Sequence, residues 1–182
     1  TGTLTLGNDQ SLEGRSSNYK HAASGSDTPV ITAEDGLVLN DNTTVSGITL
    51  NGSGTADSVG ITVNGDATIN EVTVGTSGGS KSFTTGVELT DGATAAISDS
   101  IISAYSNTFN DTSGDGRSNA NAIGVKEDGN NALTIVDSTI NSTTGSLGGS
   151  SRAVQVGSGS AATRSDSTLN ASGDSGLAVM GL

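Results

Sequence analysis

A phrase of six or seven residues returns along the chain, with Gly- and Asn-rich gaps between its copies. It reads Thr68-Ile69-Asn70-Glu71-Val72-Thr73-Val74, then Ala96-Ile97-Ser98-Asp99-Ser100-Ile101-Ile102, and later Thr134-Ile135-Val136-Asp137-Ser138-Thr139-Ile140 and Thr163-Arg164-Ser165-Asp166-Ser167-Thr168-Leu169. A shorter early form is Thr44-Val45-Ser46-Gly47-Ile48-Thr49-Leu50. Before each copy stands a small residue followed by apolar, any, apolar: Gly36-Leu37-Val38-Leu39, Gly60-Ile61-Thr62-Val63, Gly86-Val87-Glu88-Leu89, Ala122-Ile123-Gly124-Val125, Ala153-Val154-Gln155-Val156 and Gly176-Leu177-Ala178-Val179. Such alternation describes a half-buried strand with two inward side chains. Short strand pairs that recur every 20 to 40 residues or roughly so signal a solenoid. The strands keep their spacing while the loops between them vary in length.

Stacked in register, the phrases define columns. One inward column is Val45, Ile69, Ile97, Ile135 and Arg164; a second is Ile48, Val72, Ser100, Ser138 and Ser167; a third is Leu50, Val74, Ile102, Ile140 and Leu169. The preceding strands supply Leu37, Ile61, Val87, Ile123, Val154 and Leu177, and beside them Leu39, Val63, Leu89, Val125, Val156 and Val179. Like residues stacked on like at strand spacing is how parallel coils pack. Gly47, Glu71, Asp99, Asp137 and Asp166 fall at a bend between two strands, where Gly and Asp tolerate unusual dihedrals. The serines form a polar ladder whose hydroxyls bond one another or the backbone. Arg164 breaks an apolar column, so the last coils are expected to pack less tightly, with Arg164 snorkelling outward or paired with Asp166. Leu4 and Leu6, Leu12, and Val30-Ile31 read as the three strands of a first coil.

Composition agrees with a thin core. The 182 residues include no Cys or Trp, and aromatics make up 2% of the chain, against 27 Gly. A core built on large rings is excluded, whereas a solenoid needs only a narrow aliphatic column that stacking makes continuous. Disorder is the competing reading of so polar a chain, but clustered, periodic Val, Ile and Leu argue for folding. The net charge of -12 disfavours nucleic acid and anionic membranes as partners, because both require basic patches. No apolar run approaches membrane-spanning length, so direct membrane insertion is not expected. Both ends read as cut, which suggests a module from a longer protein.

The expected architecture is therefore all-β: a single right-handed parallel β-helix module over residues 1–182, of about five to six coils, with residues 103–121 as a protruding loop. Long loops on a rigid solenoid are where recognition resides. This one holds Tyr105, Phe109, Asp111, Asp115 and Arg117, a candidate ligand-binding set. A second polar loop runs from Glu13 to Pro29 and contains His21, the chain's lone histidine, read as a surface residue. Asp111, Ser113, Asp115 and Gly116 resemble the front half of a calcium loop, but the twelfth position, where a bidentate acid belongs, is Ala122. A plain Gly/Asp turn is the alternative, and beyond calcium no cofactor is implied.

Catalysis is a rival reading, as a polysaccharide lyase or glycoside hydrolase. Hydrolysis needs converging carboxylates, and bend acids such as Asp99 and Asp137 recur one per coil; a structural repeat would place them there anyway. No catalytic residues are assigned. A third reading, ice or crystal-surface binding, rests on Thr49, Thr73, Thr139 and Thr168, a ladder interrupted by Ile101. Thr is also simply a favoured exposed strand residue.

The phrases Asp137-Ser138-Thr139-Ile140 and Asp166-Ser167-Thr168-Leu169, with the coil start Gly176-Leu177-Ala178-Val179, resemble the passenger β-helices of bacterial autotransporter-type surface adhesins. The N-terminal wording Leu4-Thr5-Leu6, Gln10-Ser11-Leu12-Glu13-Gly14-Arg15, Ala23-Ser24-Gly25 and Pro29-Val30-Ile31 is similar to intimin/invasin-like inverse autotransporters, where it follows an outer-membrane barrel and opens a pectate-lyase-like helix. The resemblance implies export to the cell surface of a Gram-negative bacterium. It also implies a role in adhesion, self-association or biofilm, with host or bacterial surface proteins or glycans as partners. No position matches the catalytic residues of pectate lyases.

Overall fold

The computed structural model describes residues 2–14, 28–33, 36–54, 57–78, 83–106, 120–145, 149–173 and 175–181. Its described residues form strands and turns, with no helix among them. The first coil is β1 (Leu4–Leu6), β2 (Ser11–Glu13) and β3 (Val30–Ala33). The second is β4 (Leu37–Leu39), β5 (Thr43–Ser46) and β6 (Thr49–Gly54); the third is β7 (Ser58–Val63), β8 (Asp66–Asn70) and β9 (Thr73–Gly78). The fourth is β10 (Phe83–Leu89), β11 (Thr94–Ser98) and β12 (Ile101–Ser106); the fifth is β13 (Asn121–Glu127), β14 (Ala132–Val136) and β15 (Thr139–Thr144). The sixth is β16 (Ser150–Val156), β17 (Ala161–Ser165) and β18 (Thr168–Ser172), after which β19 (Ser175–Gly181) begins another turn.

Every third strand lies beside its counterpart, in parallel. Sheet A runs β1-β4-β7-β10-β13-β16-β19, sheet B runs β2 to β17, and sheet C runs β3 to β18. The chain is a parallel β-helix. At about 4.8 Å per strand the six coils of sheet C rise about 24 Å from first to last. Leu4, Leu12 and Ile31 pair with Leu37, Val45 and Leu50, so the first coil is complete despite its long polar loop.

The core is the expected aliphatic stack. Val45, Ile69, Ile97 and Ile135 are in register and buried, and so are Leu50, Val74, Ile102 and Ile140. The bend between sheets B and C explains its own composition. Gly47, Glu71, Asp99, Asp137 and Asp166 all have positive φ, between 47° and 61°. Among residues with a side chain, Asp and Asn enter this left-handed region most readily.

The residue after each of the last three bends is a serine that stitches the coils together. The Ser100 hydroxyl accepts from the Val72 amide at 3.1 Å and donates to the Ser98 carbonyl at 2.6 Å. Ser138 does the same toward Ser100 and Val136, and Ser167 toward Ser138 and Ser165. The serine ladder therefore bonds the backbone, not its own hydroxyls, and it supplies acceptors that the bend removes from the sheet. At the opposite corner Asn131 holds the turn: its side-chain amide donates to the Leu89 and Asp128 carbonyls and its oxygen accepts from the Ala93 amide.

Sheet A corrects the expected register in its last strands. Val87 pairs with Val125, not Ile123, and Val154 pairs with Val179, not Leu177. Ile123 and Leu177 instead share a row with Arg152. The fifth coil thus starts Gly124-Val125-Lys126-Glu127, which sets Glu127 below Leu89 in a row of aliphatic residues. A slip of two keeps every side chain on its own face, so alternation could not distinguish the two registers. Close packing does. A Cβ on Gly86 would stand 2.5 Å from Ile102 Cγ2 and 2.6 Å from the Gly124 carbonyl oxygen; on Gly124 it would stand 2.4 Å from Ile140 Cγ2. Gly60, Gly86 and Gly124 form a row where sheet C presses against sheet A.

Candidate functional surfaces

Sheet C presents the most uniform surface of the molecule. Its six strands contain no Asp, Glu, Lys or Arg. Their outward side chains form three rows along the stack. Val30, Thr49, Thr73, Ile101, Thr139 and Thr168 make the first, and Thr32, Asn51, Gly75, Ser103, Asn141 and Asn170 the second. Ser53, Ser77, Tyr105, Thr143 and Ser172 make the third. The amides are already ordered: Asn170 Nδ2 donates to Asn141 Oδ1 at 2.9 Å, and Asn141 Nδ2 to Ser103 Oγ at 3.3 Å. Val30, Ile101 and Tyr105 stand out of this polar face, 61%, 48% and 42% exposed.

Tyr105 is the one member of the sequence-derived binding set within the described residues. It lies in β12, which runs through Ser106, rather than in a loop starting at residue 103. Neighbouring strands place Ser77 and Thr143 on either side of it. Phe109, Asp111, Ser113, Asp115 and Arg117 lie outside the described residues, as does His21. The same is true of the calcium-like stretch 111–116.

The bend acids Glu71, Asp99, Asp137 and Asp166 are exposed and follow one another up the B–C edge. Among the described residues no group of three His, Cys, Asp or Glu is arranged to hold a metal ion. Sheet A carries an outward charge cluster instead, in which Lys126 donates to Glu88 at 2.8 Å and to Asp128. Burial opposes the charge on Lys126, but its hydrogen bonds to Asp128 and Glu88 and their negative charges outweigh that, and its pKa is raised.

Two further features were not legible as sites. A cavity of about 290 Å³ opens where the stack ends, walled by Ile135, Val154, Leu169 and Val179, with Arg164 on its lining. The β17 strand around Arg164 is the outermost strand of sheet B and is exposed along its whole length. Arg164 forms no ion pair with Asp166 among the described residues. The second feature is Glu127, fully buried in the interior row below Leu89, with neither carboxylate oxygen hydrogen-bonded. The sequence signal for it was the two-residue ambiguity of the coil start: the alternative phrase ends on this acid.

No protein-family model, curated protein or solved structure matches this chain.

Proposed function

We propose that the chain is an extracellular structural and adhesive module of a bacterial surface protein, which makes its contacts through the outer face of sheet C. The observation that carries this reading is the absence of charge from that face in a chain of net charge -12. A rigid array roughly 20 by 25 Å of hydroxyls and amides, with an exposed tyrosine ring and an isoleucine, suits neutral surface glycans or polar protein surfaces. Acidic partners suit it no better than neutral ones, and the surrounding acids disfavour them. Export through an outer membrane, a place on the cell surface and a role in adhesion, self-association or biofilm belong to this proposal. They rest on the resemblance of the repeat phrases to autotransporter passengers.

A carbohydrate-active enzyme is the second reading, favoured by the position of Asp99 and Asp137 on adjacent coils of one bend. The two readings separate in one set of assays. Immobilised protein is tested for binding to bacterial and host cells and to glycan arrays, beside Tyr105→Ala and the double variant Thr73→Lys, Thr139→Lys. Each variant is expected to lower binding while leaving the melting temperature nearly unchanged, since exposed substitutions shift stability by about 0.5 kcal/mol or less. Release of oligosaccharide products from polysaccharide, abolished by Asp99→Asn or Asp137→Asn, would replace the adhesive reading with the enzymatic one.

A further inference from the structure

Glu127 sits where the repeat calls for an aliphatic side chain. Its row holds Leu39, Val63 and Leu89 on one side, each buried. On the other side Lys126 pairs with Gln155, which brings the half-buried Val156 beneath Glu127. The carboxylate is wholly buried and has no hydrogen-bond donor. The Ser160 hydroxyl, close enough to act on the carboxylate, gives its proton to the Gly129 carbonyl. Burial raises the Glu127 pKa, and the nearness of Ser160 lowers it by less.

The charged groups on the surrounding elements all lie elsewhere. Lys126 and Glu88 pair on the outside of sheet A, and Asp128 is held by Lys126. Asp91 accepts from the Asn130 amide on the A–B turn, Arg152 belongs to β16, and Arg164 borders the end cavity. None of the described ion pairs involves Glu127. Among the described residues, β16 and β19 follow it in sheet A, β17 is exposed throughout, and Leu177 and Val179 are about half exposed.

We infer that Glu127 is a proton-controlled latch: neutral, it lets the last coil, β16 to β19, pack against the fifth; ionised, it drives that coil open to reach water. An isolated carboxylate has no means of staying charged inside an apolar stack. The nearest layer it can displace is also the least buried one. The direction in pH follows. Below the ordinary carboxylate value of 4.5 both the packed and the opened coil hold the proton, and packing is at its best. As pH rises from there to the raised value, the opened state loses its proton first and gains weight. Above the raised value the loosening is complete. Each unit of displacement changes the opening equilibrium by about tenfold.

Hydrogen exchange of the whole chain, corrected for intrinsic rates, tests this between pH 4 and pH 8 or thereabouts. Amides of β16 to β19 are expected to lose protection as pH rises, while those of β7 to β12 keep theirs. Glu127→Leu should hold β16 to β19 protected across the range, and Glu127→Gln should flatten the pH dependence even if it packs less well. Surface repulsion among the acids also grows with pH, so Asp166→Asn serves as a control that removes an exposed charge, and near-molar salt screens the exposed charges alone. Loss of the pH effect in Asp166→Asn or in salt, or its persistence in Glu127→Leu, would overturn the latch.

Discussion

Ser138 shows how one hydroxyl does two jobs. It accepts from the Ser100 amide at 3.1 Å and donates to the Val136 carbonyl at 2.7 Å, and it is buried. The amide it receives is that of Ser100, which follows the left-handed Asp99 where the chain of the coil before turns from sheet B to sheet C. Ser138→Ala is therefore expected to strand a buried N–H and destabilise the protein by about 1–3 kcal/mol. Denaturant unfolding checks this, with Ser172→Ala on the exposed part of β18 as a neutral comparison. Equal stability of the two variants would show that the ladder contributes nothing. The serine row was readable as a polar stripe from its spacing. Its actual partners were not, because hydroxyl-to-hydroxyl and hydroxyl-to-backbone bonding need the same residues at the same intervals.

At the scale of the strands, the glycine row governs how sheets A and C approach. The Cβ of an alanine at Gly124 would meet both Ile140 and the Ala153 carbonyl oxygen at 2.6 Å or less, so neighbouring backbone would have to move. Gly124→Val is expected to destabilise by about 1–3 kcal/mol through overpacking, possible only because the row is so tight. A melting curve for Gly124→Val that overlays the parent would mean that the coil start is elsewhere, as in the register with Ala122 at its head. The element scale is also where sequence reading met its limit. Sheets B and C came out in register from the phrase alone, since Ile69, Ile97 and Ile135 leave one solution. Around Ile123 two alternating phrases overlap, and the apolar version is not the one that pairs. Contact between Gly86, Gly124 and the sheet C isoleucines outweighs the preference for an aliphatic residue at 127.

For the whole molecule, charge is organised by position along each coil. Among the described residues most acids occupy the turns and the B–C bend, a few lie in strands of sheets A and B, such as Glu88 and Asp66, and the six strands of sheet C are free of them. Stacked acids repel across each coil-to-coil step, so rising salt is expected to raise the melting temperature until the bends are screened. A melting temperature that falls steadily with salt would instead mean that ion pairs such as Lys126–Glu88 dominate the electrostatics. Screening leaves the interior Glu127 untouched, which is why salt and pH act on different parts of the same chain.

The amino-acid order alone settled that this is a stack of coils, because period-two phrases carrying like residues at long intervals have no other way to bury their aliphatic faces. It located all three strands of the first coil and the bend acids, since each follows from strand alternation or local dihedral demand. Only the folded molecule decided the sheet A register, the burial of Glu127 and the union of distant Thr, Asn and Ser rows into one uncharged face. Those depend on how closely strands far apart in the chain approach one another, and a linear pattern does not encode that distance.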